Sequence, residues 1–239
     1  MTRVLVTRPE PGATATARRL EESGFDPVVL PLTETKPIPT AKIPDPARFD
    51  AVVATSSAAL RHAPADLLRA FSGLRLFAVG ERTAETASKA GFGSVEAGGG
   101  DADALASRIS HALPAGARLL YLCGRLRTGA LDERLREAGF AVTVLEVYDT
   151  AAAEFTRDAA VAAFGGKPVY AALVYSAHGA AMLSQMAATP ELAPLLAKAR
   201  LLCISARTAE ALAPEMRKRA EIAESPDEAA LLRLLGAFA

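Results

Sequence analysis

The sequence contains one segment twice, and this internal repeat limits the fold more than any other feature. Residues 3–35 align without gaps on residues 118–150, at a constant offset of 115 positions because 118 − 3 and 150 − 35 both equal 115. Two further pairs of similar segments follow, 51–60 with 171–182 and 78–87 with 203–212. A duplication of this kind predicts two similar domains with a ligand-binding cleft between them.

The composition allows two domains of modest size and excludes several classes of partner. With 239 residues, 51% of them hydrophobic, the chain can form two cores. Lys plus Arg and Asp plus Glu both total 27, so no net charge attracts nucleic acid or an anionic membrane. No apolar run is long enough to span a bilayer. The chain starts with a predicted strand instead of an export signal, so we expect a cytoplasmic protein.

Short apolar runs alternate with alanine-rich helical patterns along the chain. The runs VLVT, AVVATS and LRLFAVG are apolar throughout, as expected of strands that are buried on both faces of a sheet. Glycines follow three of the predicted helices, at Gly24, Gly91 and Gly139, where a left-handed residue commonly ends a helix. The pattern predicts an α/β fold with parallel sheets.

Two domain arrangements agree with the repeat. A simple tandem would divide the chain near residue 115, whereas an interleaved chain would leave the first domain early, build the second and return. The proline-rich stretch 31–46 is typical of an extended linker, and a second breakpoint lies at 149–156. Both breakpoints follow the equivalent strand of the repeat, which slightly favours the interleaved arrangement. The residues alone leave both open.

Small polar loops follow the predicted strands. Parallel sheets bind ligands where their strands end, because helix N-termini there present free N–H groups and the positive end of the helix dipole. The loops are residues 7–14, 54–59, 79–84, 98–105, 123–129, 175–181, 204–209 and 224–231. Arginines in or near them are Arg8, Arg61, Arg82, Arg125, Arg127 and Arg207. Ordinary helix capping explains any single loop, but the full set favours a ligand rich in carboxylates or phosphates.

Recognised catalytic and cofactor motifs are absent from the sequence. It has no GxGxxG after a strand, no P-loop and no GxSxG, which removes the usual support for dinucleotide, nucleotide and hydrolase functions. Cys123 and Cys203 have no disulfide or zinc spacing, so we expect two buried thiols and no metal. Of the three histidines, only His178 falls in a polar loop of this set.

Charged and phenolic side chains give few further candidates. The acidic pairs Glu21/Glu22 and Asp132/Glu133 are expected on solvated helix faces. Tyr148 lies at the end of a predicted strand where a linker begins, so its phenol is a candidate neutral proton donor. The alternative is a ring that only packs at a domain edge.

The order of these motifs resembles the uroporphyrinogen-III synthase family. The resemblance covers nearly the whole chain, and no single motif decides it. It rests on VLVTRP, LPLTET, VVATSSAAL, FAVGERTAETASKAGF, LLYLCGRLRTGALDERLREAGFAVTVLEVYDT, LVYSAHGAAML, CISARTAEAL and ESPDEAALL. The resemblance implies two flavodoxin-like α/β domains in the interleaved arrangement. One would comprise residues 1–34 with 152–239 and the other 38–148, joined by a two-stranded linker at 35–37 and 149–151.

The resemblance also implies an activity. The family acts in porphyrin and haem biosynthesis as a hydro-lyase on hydroxymethylbilane, a linear tetrapyrrole with eight carboxylates. The enzyme closes it to uroporphyrinogen III, with loss of water and inversion of the last pyrrole ring through a spiro intermediate. No cofactor or metal is implied. The implied partner is hydroxymethylbilane synthase as the supplier of substrate, and the protein is expected to be a monomer.

The matching motif positions imply the site residues. Tyr148 matches the tyrosine of the VYxT motif and would give a proton to the departing hydroxyl group. The implied substrate-binding residues are Thr7, Arg8, Thr55, Ser56, Ser57, Ala58, Gly80, Arg82, Thr83, Cys123, Gly124, Arg125, Ser176 and Thr208. A different class of function remains open at this point, namely a non-catalytic binding or regulatory protein for a carboxylate-rich small molecule.

Overall fold

The computed structural model describes residues 1–127 and 130–236. The chain forms two compact units. Unit 1 comprises residues 1–34 and the described residues from 151 onward, and unit 2 comprises residues 35–150 without residues 128 and 129. The sequence-based boundaries place the inserted domain at 38–148.

Strands and helices alternate through both units. The strands are β1 (Thr2–Val6), β2 (Phe25–Val29), β3 (Thr33–Pro37), β4 (Ala51–Ala54), β5 (Arg75–Ala78), β6 (Val95–Ala97), β7 (Arg118–Gly124), β8 (Ala141–Ala152), β9 (Ala171–Val174), β10 (Arg200–Cys203) and β11 (Ala220–Ile222). The α-helices are α1 (Gly12–Glu22), α2 (Ser57–His62), α3 (Ala65–Phe71), α4 (Glu81–Lys89), α5 (Ala102–Ala112), α6 (Ala130–Glu137), α7 (Arg157–Phe164), α8 (Ala177–Ala187), α9 (Ala193–Leu196), α10 (Ala206–Glu210), α11 (Pro214–Arg217) and α12 (Glu228–Arg233). A short 3-10 helix lies at Pro46–Arg48.

The sheet of unit 1 has the order β11-β10-β9-β1-β2, and all neighbouring strands in it are parallel. Counted along the chain of this unit, the order is 2-1-3-4-5, which is the flavodoxin-like order. Leu5 packs into the core on one face, whereas Val4 and Val6 pack into the core on the other. All three are fully buried, which explains why this strand is apolar throughout.

The sheet of unit 2 places β8-β7-β4-β5-β6 in the same spatial order, again with parallel neighbours. Strand β7 takes the place that β1 has in unit 1, and β4 takes the place of β9. Val52 and Val53 face opposite cores, which include Phe71 and Phe77 respectively. The two sheets therefore share one spatial order of strands, although the chain forms these strands in a different sequence in each unit. The predicted α/β fold with parallel sheets is confirmed.

The chain passes between the units within two paired strands, β3 and β8. The Ile38 N–H donates to the Val147 carbonyl oxygen at 3.0 Å, and the Ala153 N–H donates to the Leu32 carbonyl oxygen at 3.0 Å. Because the residue numbers run in opposite directions along these bonds, the two segments are antiparallel. Within the stretch 31–46, which was predicted to be an extended linker, Thr33–Pro37 thus form strand β3.

Local features follow the sequence in most places, with one correction. Gly24, Gly91 and Gly139 have φ values of 82°, 98° and 88°, which confirms the predicted left-handed helix ends. Both cysteines are buried and free, as expected.

The expectation of a solvated side chain was wrong for Asp132, which is only 7% exposed. The reason is its position in α6, beside Leu131 and Leu135, which pack into the core. Its Oδ2 accepts a hydrogen bond from Arg136 at 3.0 Å, and its Oδ1 has no partner among the described residues. Glu133 of the same pair is exposed, as predicted.

In the part of the chain that the structure describes, no helix is both long and apolar enough to cross a bilayer.

Candidate functional site

The predicted binding residues collect at one edge of each sheet. We call this the carboxyl edge, because all parallel strands of a unit end there. In unit 1, Thr7 and Arg8 follow β1, Ser176 follows β9 as the N-cap of α8, and Thr208 lies in α10, the helix after β10. In unit 2, Thr55 and Ser56 follow β4, and Ser57 and Ala58 begin α2. Gly80 follows β5, with Arg82 and Thr83 in the first turn of α4, and Cys123 and Gly124 end β7 just before Arg125. The adjacent strands β1/β9 and β4/β7 mark the point where strand order reverses, which is the usual ligand site of such sheets.

Several predicted hydroxyl groups are already used by the fold. In unit 1, Thr7 donates from Oγ1 to the Leu173 carbonyl oxygen at 2.6 Å and is 2% exposed. Ser176 Oγ accepts a hydrogen bond from the Gly179 N–H at 3.0 Å and so caps α8. Thr208 is buried beside Ser205, with 3.0 Å between the two hydroxyl oxygens. These side chains therefore shape the loops through hydrogen bonds within the protein.

Arg8 is held by a network within unit 1 that we call the Arg8 cluster, consisting of Arg8, Thr16, Arg19, Tyr175 and Glu228. One oxygen of Glu228 lies 2.8 Å from the guanidinium of Arg8 and accepts a hydrogen bond from Thr16, and the other lies 2.6 Å from Arg19. The guanidinium of Arg8 also lies 4.5 Å from the centre of the Tyr175 ring.

The carboxyl and phenol groups of the Arg8 cluster have pKa values that differ from their usual ones. Burial alone would raise the pKa of Glu228, but the hydrogen bond from Thr16 and the charges of Arg8 and Arg19 outweigh it and lower the pKa. Burial raises the pKa of Tyr175 to about 12. The cluster is thus a network of one carboxylate and two guanidinium groups covered by a neutral phenol, and Arg8 already has an acidic partner.

The equivalent region of unit 2 has neutral hydroxyl groups where unit 1 has Arg8 and Glu228. Thr55 Oγ1 and Tyr121 Oη are 3.0 Å apart, and Ser57 donates from Oγ to the Arg82 carbonyl oxygen at 3.2 Å. Burial raises the pKa of Tyr121 to about 12 and that of Cys123 to about 11. Neither the phenol nor the thiol is ionised near neutral pH, so Cys123 is not set up as a nucleophile.

Unpaired donors are present in the loop after β5. Gly80 caps α4 without a side chain, and the N–H groups of Glu81 and Arg82 have no hydrogen-bond partner within the described ranges. The guanidinium groups of Arg82 and Arg207, which are exposed and equivalent in the repeat, likewise form no ion pair among the described residues. An anion can therefore be bound at α4 by both backbone and side chain.

Two other arginines of the carboxyl edge of unit 2 are paired with acidic side chains. Arg125 lies 2.9 Å from Asp149 and 3.5 Å from Glu146, and Arg127 lies 2.8 Å from Glu146. Residues 128 and 129 of the predicted loop 123–129 lie outside the described residues. A ligand at this loop would compete with Asp149 and Glu146 for the arginines.

Tyr148 is a half-buried residue of β8 whose ring lies against the backbone of Gly124. A Cβ atom at Gly124 would come 2.6 Å from Tyr148 Cζ, so only glycine leaves room for the ring. The Tyr148 hydroxyl group forms no hydrogen bond with any described residue. Strands β7 and β8 shift register between Cys123 and Gly124, which places Gly124 opposite Tyr148. A phenol with a free hydroxyl group is thereby set at the carboxyl edge of unit 2.

Sequence analysis missed one neighbour of Tyr148, the last residue of α2. The ring of His62 has its centre 5.9 Å from that of Tyr148, at an interplanar angle of 31°. His62 Nε2 is 2.8 Å from Thr35 Oγ1. In the sequence, His62 stands outside the polar loops and 86 positions before Tyr148 (148 − 62), so no local pattern joins them. His178, the histidine that sequence analysis singled out, has a buried Nε2 without a partner among the described residues.

Comparison with known proteins decides the family. The family model described as uroporphyrinogen-III synthase HemD matches residues 14–233. The chain belongs to the uroporphyrinogen-III synthase family.

Individual members of the uroporphyrinogen-III synthase family show the same likeness. A uroporphyrinogen-III synthase of Chlorobaculum parvum is 34% identical over 159 residues, which cover 62% of this chain and 64% of that protein. The crystal structure of uroporphyrinogen-III synthetase from Helicobacter pylori has a TM-score of 0.66 at 21% identity, with 100% of both chains covered.

A mutant uroporphyrinogen III synthase from Thermus thermophilus has a TM-score of 0.53 at 19% identity and covers 99% of this chain and 97% of its own. At these identities the two crystal structures support the fold of the uroporphyrinogen-III synthase family, and the family model supports membership.

Proposed function

We propose that the chain is a uroporphyrinogen-III synthase, a hydro-lyase that closes hydroxymethylbilane to uroporphyrinogen III. The match of the family model to residues 14–233 carries this proposal. The chemistry of the carboxyl edges supports it, because eight substrate carboxylates need several separate cationic or N–H partners. Such partners are supplied by the N–H groups at the start of α4 and the guanidinium groups of Arg82 and Arg207, none of which is paired within residues 1–127 and 130–236.

The first chemical step removes the hydroxyl group of the substrate as water. In the proposal, Tyr148 Oη donates its proton to the departing hydroxyl oxygen while the lone pair of the adjacent pyrrole nitrogen expels it. The C–O bond breaks, and the N–H proton of that pyrrole restores the phenol, which leaves a neutral azafulvene. Because the pyrrole nitrogen drives the departure, Tyr148 assists this step without being indispensable.

The later steps require geometry more than acid or base groups. The far pyrrole ring attacks the azafulvene carbon through its own substituted carbon and forms a spiro intermediate. That intermediate fragments and closes again with the ring inverted, and the proton lost from the newly bonded ring carbon is balanced by the one that returns to the pyrrole nitrogen of the former azafulvene. Direct closure without inversion gives the symmetric type I isomer, so the main task of the protein is to hold the reacting ends in the right orientation. The neutral state of Tyr121 and Cys123 agrees with this small demand for ionised groups.

The predicted binding residues enter the proposal in three ways. The first group contributes mainly through the loop backbone, because each of its hydroxyl groups already has a partner in the protein: Thr7, Thr55, Ser56, Ser176 and Thr208. The second group forms the walls of the loops and consists of Ser57, Ala58, Gly80, Thr83, Cys123 and Gly124. The third group, Arg82 and Arg125, contributes positive charge. Arg8 contributes only if a substrate carboxylate displaces Glu228. We further propose that the protein acts as a monomer in the cytoplasm on substrate released by hydroxymethylbilane synthase.

Separation of product isomers tests the proposed function. The full chain is mixed with hydroxymethylbilane generated in the same vessel, the products are oxidised to uroporphyrins, and the isomers are separated chromatographically. We expect the type III isomer to dominate, whereas a reaction without the protein gives type I. A protein that binds the substrate and yields only type I would be a binding protein, and the proposed activity would be wrong.

A further inference from the structure

The surroundings of Tyr148 suggest how its phenol is oriented, and all of them lie within unit 2. Gly124 lies against one part of the ring, because a Cβ atom added to Gly124 would come 2.6 Å from Tyr148 Cζ. The imidazole of His62 is the aromatic neighbour, at a centroid distance of 5.9 Å and a tilt of 31°. This spacing lies in the range in which aromatic rings attract one another. Contacts with Gly124 and His62 therefore fix the position of the Tyr148 ring, while its hydroxyl group has no partner among the described residues.

His62 is itself fixed by a hydrogen bond. Its Nε2 is 2.8 Å from the hydroxyl oxygen of Thr35, which lies on β3, the strand that pairs with the strand of Tyr148. The ring thus bridges α2 to the paired strands. A half-buried histidine with one ring nitrogen bonded has little freedom to rotate, so it can act as a stable wall for its neighbour.

The charge state of His62 suits this packing. Burial, and then the positive charge of the neighbouring Arg61, lower the pKa of His62 below its usual value. The imidazole is therefore mainly uncharged near neutral pH. It packs against the phenol without placing a cation beside it.

We propose that His62 is a positioning residue for Tyr148, held in place by Thr35, and that it orients the phenol hydroxyl toward the departing group of the substrate. This inference rests on the proposed function and adds to it a residue that itself donates no proton. A positioning role predicts a loss in kcat with little change in KM, because the reacting geometry changes while the carboxylate contacts stay.

The test compares four variants and one control variant of the full chain on freshly generated hydroxymethylbilane. We expect Tyr148→Phe to lower kcat about tenfold and His62→Ala about fivefold, with KM within about twofold of the wild-type value. His62→Phe, which keeps a ring of similar shape, should recover kcat to within about twofold of wild type. Thr35→Val, which removes only the hydroxyl group, should lower kcat about two- to threefold. His111→Ala, a surface histidine on α5, is the matched control and should leave kcat unchanged.

The double variant distinguishes positioning from a general structural role. If His62 acts through the Tyr148 hydroxyl group, His62→Ala combined with Tyr148→Phe should lose about tenfold, as Tyr148→Phe alone does. A loss near fiftyfold, or a His62→Ala variant that keeps more than half of kcat, would overturn the proposal, as would a Tyr148→Phe change of less than threefold. If His62→Ala fails to fold, His62→Phe and Thr35→Val carry the same comparison. Failure of the proposed function is seen separately, because the wild-type chain would then produce no type III isomer.

Discussion

The two units share one strand order but place different chemistry at the carboxyl edge. In unit 1, the guanidinium of Arg8 is compensated by Glu228 and covered by Tyr175. In unit 2, the equivalent position of the repeat is Cys123 (8 + 115), and the next residue, Gly124, lies beneath the free phenol of Tyr148. The two units therefore share one scaffold, whereas at this position unit 1 has the Arg8 cluster and unit 2 has a candidate proton donor.

The largest expected effect comes from removing Glu228, the carboxylate of the Arg8 cluster in unit 1. Glu228→Ala leaves Arg8 and Arg19 without their shared carboxylate, at a place where the side chains of Glu228 and Arg8 are 14% and 19% exposed. Because a largely buried charge without a partner is costly, we expect the free energy of unfolding to fall by about 2 to 3 kcal/mol. Urea denaturation measures this loss.

The control for Glu228→Ala is Glu215→Ala, which removes a carboxylate paired with Lys218 on the exposed surface. Surface pairs of this kind contribute little, so the control should change the free energy of unfolding by less than about 0.5 kcal/mol. Equal losses for the two variants would show that the Arg8 cluster has no special structural role.

The second largest expected effect concerns the contact between Gly124 and Tyr148 in unit 2. Gly124→Ala adds a Cβ atom that would lie 2.6 Å from Tyr148 Cζ, so the phenol must move. We expect kcat to fall about thirtyfold, equivalent to about 2 kcal/mol, since both the ring and the loop after β7 are displaced. Steady-state rates measure this change. Gly73→Ala, where an added Cβ meets nothing within 4 Å, should keep the wild-type rate.

A smaller expected effect, a change in KM, tests whether the carboxyl edges of the two units bind substrate equally. Arg82 in unit 2 and Arg207 in unit 1 are equivalent in the repeat and unpaired among the described residues. We expect Arg82→Ala and Arg207→Ala each to raise KM about fivefold, about 1 kcal/mol, because each removes one exposed cation from a carboxylate. Arg69→Ala, on an exposed face of α3, is the control and should leave KM unchanged. An increase in KM for only one of the pair would assign substrate binding to that unit.

The smallest effect is the pH dependence of the Glu228 contribution. The folded-state pKa of Glu228 is lowered below its usual 4.5. The carboxylate therefore stabilises the protein above about pH 4.5, and this contribution is lost as the pH falls through the folded-state pKa. We expect the stability difference between the wild type and Glu228→Ala to be constant from about pH 5 to 7 and to shrink at lower pH. A difference that stays constant down to about pH 3 would contradict the assigned pKa direction.

The fold was largely predictable because it depends on repeated, short-range patterns. The duplicated segments gave the equivalence of β1 with β7, and uninterrupted apolar runs such as residues 4–6 indicated parallel strands buried on both faces. The order of the loops also placed the predicted binding residues at the carboxyl edges. These features are readable because each depends on neighbours within one strand–helix unit.

The details of the site were less predictable because they depend on distant residues. Arg8 is compensated by Glu228, a residue 220 positions later (228 − 8), and no local pattern indicates that pairing. His62 reaches Tyr148 only after α2 and β8 have been assembled in unit 2. Asp132 was expected in solvent because acidic residues usually are, but its helix places it beside core leucines. Tertiary contacts of this kind decide charge and orientation, and a single sequence carries little signal for them.

The crossing of the chain through β3 and β8 has a consequence for biosynthesis. Strand β1 is translated before unit 2, but its inner neighbour β9 is translated only after all of unit 2. Domains generally fold as units while the nascent chain grows. The first 34 residues must therefore remain incomplete, with the apolar surface of β1 partly uncovered, until residues 171–174 emerge. Unit 2 can thus complete its fold during translation before unit 1 does, although unit 2 begins later in the chain.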